Sequence, residues 1–434
     1  MNTQLSPLER QHLDVQSNAL SRRDFLGLGV HSFLGLIAMQ HLQSSVFAQI
    51  EKQIPCAKHC VVLFMNGGPS QLDTFDPKPG TLNGGPFKAI QTSADGIQFS
   101  QHLPLLAEQA HHLSIIRSMV SREGNHDRAR YLLHTGYTPS GSVRHPTFGS
   151  MASHYLDDGD FELPNCVNIN SPAFSAGLLG ATHDPFVVNN PLKPIEDLKY
   201  PSQMDRRRLR QRLELLNDVE RDFLRNRGHR STEAHQAIYK KAEKLINSPG
   251  AKAFDLSDEA NSVKETYGNN QFGQGCLMAR RLVETGVKFV EVSLDGWDTH
   301  RNNFERTERL LKVVDSAFSA LVRDLSDREL LDETLVIWLG EFGRTPKINA
   351  NDGRDHFPNG WSAVLAGGGV RGGTSIGETN GDGTRVLNRP VSVADLFASL
   401  CFALGIDYND QNYSRAGRPI RVVDNGSVVE ELFV

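Results

Sequence analysis

Four short apolar runs rich in β-branched and aromatic residues are each followed along the chain by a segment of helical patterning. Cys60–Met65 precedes Leu103–His111, Leu113–Met119 precedes Asp127–His134, Val287–Leu294 precedes Phe304–Leu325, and Thr334–Leu339 precedes Ser392–Leu404. This alternation predicts βα units stacked into an α/β fold with a mostly parallel central sheet flanked by helices. Within Phe304–Leu325 the apolar positions Leu310, Val314, Ala317, Leu321 and Leu325 recur every three or four residues. They form one buried stripe opposite Arg309, Lys312 and Asp315.

Two stretches break the pattern. Between Pro201 and Ser248 long charged helix takes over, with Arg206, Arg207, Arg208, Arg210 and Arg212 interleaved with Leu209, Leu213 and Leu216. We read 185–265 as a helical insertion or cap, and the arginines as a solvated helix face rather than a polyanion-binding arm. At the other exception, Arg22-Arg23 stands directly before an apolar, Gly-rich segment from Phe25 to about Met39, and Ser44–Ala48 offers a small-x-small cleavage pattern. These features resemble a twin-arginine (Tat) export signal over residues 1–48, leaving 49–434 as the exported α/β domain, periplasmic or extracellular.

Composition sharpens this picture in one respect. The 434 residues carry 46 Lys and Arg against 51 Asp and Glu, a net charge of −5. Such a balance disfavours nucleic acid or an anionic bilayer as partner, and no apolar run approaches the roughly 18 residues of a stable membrane span. The five cysteines, Cys56, Cys60, Cys166, Cys276 and Cys401, are scattered and mostly sit in apolar runs, so most read as buried hydrophobes.

Ionisable side chains gather where the predicted strands end, the edge at which open α/β sheets collect ligands. Asn66–Asp76 follows the first strand, Asp295–His300 the third and Gly340–Pro346 the fourth, with Gly353–Trp361 close behind. Carboxylate plus imidazole holds a divalent cation while leaving room for water or a substrate oxygen. Asp298 and His300 can face one ion, and Glu341 and His356 arrive from the next strand and its loop. Trp297, Trp338 and Trp361 border these motifs and fit either a pocket wall or core packing. Asn125, His126 and Asp127 open a short helix closing at Gly136, where an anion is favoured.

The segments Met65–Pro79, Gly296–His300, Gly340–Pro346 and Arg354–Pro358 resemble, in the same order, a Tat-exported, sulfatase-like bacterial family, domain of unknown function 1501. That family is in turn similar to the alkaline phosphatase and sulfatase superfamily. The resemblance implies an alkaline phosphatase/sulfatase-like fold and a divalent metal (Zn, Mn, Ca or Mg) held by Asp298, His300, Glu341 and His356. Asn66 or Asp73 would take the place of the first-strand aspartate. It also implies a departure: His126 stands where relatives carry a Ser, Thr or Cys nucleophile, so His126, with Asn125, becomes the catalytic candidate. The expected function is a metal-dependent hydrolase of phosphate or sulfate esters, with an anionic ester or a sulfated or phosphorylated glycan as partner. The alternative is a non-catalytic envelope protein that keeps the fold as a ligand-binding or assembly subunit.

Overall fold

The structure, a computed structural model, describes residues 57–433 except 142, 172–173, 196–197, 201–203, 228–229 and 415. The export signal expected over 1–48 and Cys56 lie outside the described residues. A nine-stranded sheet organises the chain: β1 (His59–Asn66), β2 (Leu113–Val120), β3 (Cys166–Ile169), β4 (Phe186–Val188), β5 (Phe289–Asp295), β6 (Thr334–Leu339), β7 (Trp361–Ala366), β8 (Thr374–Ile376) and β9 (Val391–Ser392). Their spatial order is β8-β2-β7-β6-β1-β5-β3-β4, with β9 also beside β2. All run in one direction except β7, which is antiparallel to both β2 and β6.

Strands β1 and β6 are apolar along most of their length because both faces of the sheet are covered, whereas β5 carries the buried polar Glu291 and Ser293. Along β1, Val61, Leu63 and Met65 point into one core with Val290, Val292 and Trp338, where α5 (Gln271–Glu284) and α6 (Asn303–Asp327) pack. Cys60, Val62 and Phe64 point into the opposite core, shared with α1 (His126–Thr135), α2 (Phe148–Tyr155) and α7 (Val393–Ala403). This period of two follows from the pleat, which sends successive side chains to opposite faces. Cys60, Cys166, Cys276 and Cys401 are buried free thiols within these cores, as expected from their apolar neighbours.

The predicted βα pairs fall within a few residues of the observed elements. Asp315 differs from expectation. It is buried rather than solvated, because its carboxylate accepts the N–H groups of Leu105 and Leu106, at 3.1 and 2.8 Å, and so caps the short helix Pro104–Glu108. Burial pushes its pKa up to about 6 despite those two bonds.

The range 185–265 is not helical throughout. Phe186–Val188 is a strand of the main sheet, paired with β3. The long helices α3 (Arg206–Arg227) and α4 (Arg230–Asn247) follow it. On α3 the first arginines are exposed while Leu209, Leu213 and Leu216 are half-buried, the pattern of a solvated face. No helix among the described residues is long and apolar enough to cross a membrane.

Candidate metal centre

Five connections deliver polar side chains to one edge of the sheet. β1 ends in Gly67, β2 leads into His126, β5 into Asp298 and His300, and β6 into Glu341 and Arg344. β7 enters at this edge because it is antiparallel, and His356 lies just before it. Close approach of these loops depends on Gly67, whose φ is 116°. A Cβ there would collide with the backbone of Trp297 and Asp298.

His126, Asp298 and His356 each offer a ligand atom, all within 4.8 Å of one another. The arrangement centres on Oδ1 of Asp298, which lies 3.4 Å from Nε2 of His126, 3.1 Å from Nε2 of His300 and 3.4 Å from Nε2 of His356. Each imidazole is fixed through its other nitrogen. Nδ1 of His126 meets Glu341 Oε1 at 2.7 Å, Nδ1 of His300 meets Asp355 Oδ1 at 2.7 Å, and Nδ1 of His356 meets the Gly124 carbonyl at 2.8 Å. A carbonyl or carboxylate can only accept, so Nδ1 carries the proton in all three rings. The three Nε2 atoms face the centre, where those of His300 and His356 also lie 3.0 Å from each other, so a cation there would displace whatever proton that contact and Asp298 share. Anchoring through Nδ1 is the outer-shell pattern of metal-binding histidines, in which the anchored N–H sets tautomer and ring orientation. The buried Nε2 of His126 has no hydrogen-bond partner among the described residues, so the site fits a cation on its own geometry.

A family model described as Protein of unknown function (DUF1501) matches residues 57–433. The chain belongs to the DUF1501 family. Among solved structures this DUF1501 chain is similar to the PsFucS1 sulfatase from Pseudoalteromonas sp., with 13% identity, a TM-score of 0.38, and 84% of this chain and 70% of that one covered. It is also similar to the lipoteichoic acid synthase LtaP from Listeria monocytogenes (9% identity, TM-score 0.36, 87% and 79% covered). A protein in the alkaline phosphatase superfamily from Vibrio parahaemolyticus gives 12% identity, a TM-score of 0.34, and 81% and 67% covered. No curated protein matches the chain. The donor set, rather than these distant likenesses, carries the chemistry.

Electrostatics in this DUF1501 site follow from the same contacts. Burial works against the charge of Asp298, but the Arg344 guanidinium, bonded to Oδ1 at 2.6 Å, and the nearby His126 and His300 outweigh it and hold the pKa at about 2. The hydrogen bond to Glu341 raises the pKa of His126, whereas burial first, and then the charges of Arg344 and His126, lower that of His356. Arg344 is itself fully buried, with its guanidinium bonded to the carbonyls of Gly67, Gly68 and Arg354.

The other expected site residues sit elsewhere. Glu341 is one layer out: it is fully buried, and both its oxygens accept the Gly67 N–H at 3.0 Å while Oε1 holds His126. Asp73 is away from the imidazoles, fully buried in a bidentate pair with Arg354 at 2.8 and 3.1 Å and accepting from Asn303 at 2.8 Å. Asn66 donates to Asp295 at 2.6 Å. Asn125 is the N-cap of α1, its side chain accepting the N–H groups of Asp127 and Arg128. All three tryptophans are buried, and Trp297 and Trp338 pack edge to face, so they belong to the core. Asp355 and Arg344, which position His300 and Asp298, were present in the motifs without a role. Their signal was adjacency: Asp355 directly precedes His356.

Proposed function

We propose that this protein is an exported, metal-dependent hydrolase of phosphate or sulfate esters. The observation that supports it is the convergence of three Nδ1-anchored imidazoles on one carboxylate oxygen at the ligand-collecting edge of the sheet. His126, Asp298 and His356 would hold a divalent cation, and their mixed nitrogen and oxygen donors suit Zn or Mn better than Ca or Mg. Such a cation supplies Lewis acidity toward an ester oxygen and lowers the pKa of water. Glu341 and Asp355 keep the rings of His126 and His300 oriented. Arg344 fixes Asp298 and offsets its charge, easing approach of an anion. His300, the most exposed of the three histidines and braced through Nδ1 by Asp355, is placed to take a proton from the attacking water on Nε2 and pass it to the departing alcohol. With His126 in the position of the nucleophile of the superfamily this chain resembles, the attacking group is water.

Metal-replete protein assayed on 4-nitrophenyl phosphate and 4-nitrophenyl sulfate tests this reading. Turnover on one of them that a chelator abolishes, and that His126→Ala and His356→Ala lose, is the expected result. Folded, metal-replete protein without turnover above the uncatalysed rate would sink it. The 2.6 Å ion pair between Arg344 and Asp298 favours the second reading, a non-catalytic ligand-binding or assembly subunit, since Arg344 competes with a cation for Oδ1. That reading expects indifference to chelators. Export rests on Arg22-Arg23 and the apolar segment after them. Lysine at both positions should leave the protein in the cytoplasm, and unchanged fractionation would contradict a Tat route.

A further inference from the structure

His126 is the first residue of α1, so the position of that helix sets how far the imidazole stands from Asp298. The helix has little apolar anchorage. Ala129 and Leu133 are its buried apolar residues, while Arg128 bonds Glu123 just before the helix and Arg130 bonds Asp127 within it. Tyr131 takes the N–H of His145, shortly after it. Among the described residues, polar contact from α1 to the strands and the loops that end them comes from two positions. One is His126, through Glu341 and Asp298; the other is His134, two turns on, through Glu291 of β5.

The balance of donors and acceptors makes the contact of His134 with Glu291 an ion pair. Nδ1 of His134 lies 2.7 Å from the Arg130 carbonyl, which can only accept, so that nitrogen carries a proton. Nε2 faces both oxygens of Glu291, at 3.2 and 3.3 Å, and Ser171 donates to the same carboxylate at 3.0 Å. A ring with acceptors at both nitrogens is matched by its doubly protonated form, and a carboxylate offered donors by its ionised form. Burial works against both charges, yet Glu291 holds the pKa of His134 above its ordinary value and His134 holds that of Glu291 below. Both side chains are buried, and the ring lies against Phe64 and Phe174, with centroids 4.6 and 5.0 Å away. A buried ion pair is seldom more stabilising than apolar packing of the same volume. Its presence here, away from the cluster, asks for a role besides stability.

We propose that the His134–Glu291 pair pins α1 to β5 and so sets where His126 stands relative to Asp298, which makes both of them positioning residues of the cation site. Connectivity supports this. β5 carries Glu291 and leads, seven residues later, into Asp298, so the pair ties together the two elements that bring His126 and Asp298 to the cluster. His126 and His134 are eight residues apart, about 12 Å along a helix. One pin leaves a helix free to tilt about it; two fix its axis. A charged pair is also directional where apolar burial is not, so it selects one register of helix on strand. Metal–ligand distances must fall within a few tenths of an ångström, and a tilt about the far pin is felt at the ligand. The effect on metal affinity rests on the cation reading of the cluster, but the placement of the His126 ring does not.

The test uses full-length protein with ¹⁵N-labelled histidine and three variants. His134→Gln removes one charge, Glu291→Asp keeps both charges and the fold but shortens the pin by a methylene, and the double variant His134→Gln/Glu291→Gln leaves no charge buried alone. In metal-free wild type, both ring nitrogens of His134 should give imidazolium signals near neutral pH, and His126 one set of ring signals. That set should broaden or double in His134→Gln and Glu291→Asp and become single again in the double variant. Titration with Zn²⁺ should show affinity lowered about tenfold in the first two, the lower end for outer partners of metal ligands, and restored toward wild type in the double. Leu282→Ala, a buried change in α5 of the opposite core, should lower the melting temperature without moving the His126 signals or the affinity. A neutral His134 ring, His126 signals unmoved by Glu291→Asp, or an equal loss of affinity in Leu282→Ala would overturn the proposal. Folded wild-type protein without Zn²⁺ uptake defeats the cation reading instead, and the ring signals then decide this proposal alone.

Discussion

Two aspartates at the same edge of the sheet, Asp73 and Asp298, each meet an arginine, and their surroundings differ in what is left unsatisfied. Asp73 has both oxygens taken by Arg354 and Asn303, and pair and carboxylate are wholly buried. Asp298 is about half exposed, and one oxygen is shared by Arg344 and three imidazole nitrogens, two of which, on His300 and His356, also meet each other at 3.0 Å. The first arrangement is closed and holds loops together. The second is open: Nε2 of His126 has no hydrogen-bond partner among the described residues, and an ion taking its lone pair would complete the arrangement. Residue type alone does not separate structure from function here; the balance of donors and acceptors does.

The largest effect should come from opening the closed pair. Arg354→Ala leaves a buried, uncompensated carboxylate at Asp73, a class of change that costs about 3–5 kcal/mol, read as a lowered urea midpoint. Asp298→Asn, in a half-exposed position, should change that midpoint far less while removing metal binding. Equal destabilisation by the two would erase the distinction drawn between them.

A smaller effect is expected one layer out. Glu341→Gln and Asp355→Asn keep shape but weaken the hold on His126 and His300, and loss of such outer partners typically lowers metal affinity about 10–100-fold. Competition against a chromophoric chelator would measure it. Unchanged affinity in Glu341→Gln would mean that the carboxylate serves only the Gly67 N–H.

The smallest effect concerns protons. The folded pKa of His126 lies above its ordinary 6.5 because Glu341 favours the imidazolium. A proton therefore competes with a cation, and affinity should fall as pH drops through that raised value, about tenfold per unit for each proton displaced. In metal-free protein the sign reverses. The His126–Glu341 contact adds stability that is complete below about pH 6.5 and lost as pH rises through the folded pKa. Melting curves of the metal-free protein and its His126→Gln variant should converge at alkaline pH, and a constant gap would contradict this.

Much of this was legible in the sequence, for definite reasons. The long buried strands are runs rich in β-branched and aromatic residues, α6 keeps its apolar positions three or four residues apart over its length, and the ligand-type residues were visible because they follow strand ends. Other elements were not. β3 and β4 are three or four residues long, too short to show a period, and α5 contains Gly273 and Gly275, which read as breakers. Gly275 is there for packing: a Cβ would press on Val292 and Ile169 of the sheet. In the site, Glu341, Asp73 and Asp298 are alike as letters, and only folding shows which carboxylate has lost its competing partners.

The central claim is that His126, Asp298 and His356 hold one divalent cation. Calorimetric titration of metal-free protein with Zn²⁺ and Mn²⁺, alongside His126→Ala and His356→Ala, tests it most directly. The expected result is a single site in the folded wild-type protein, weakened at least about a hundredfold in either variant, with proton release on binding. Folded wild-type protein that takes up neither ion, or variants that bind as well as the wild type, would contradict it.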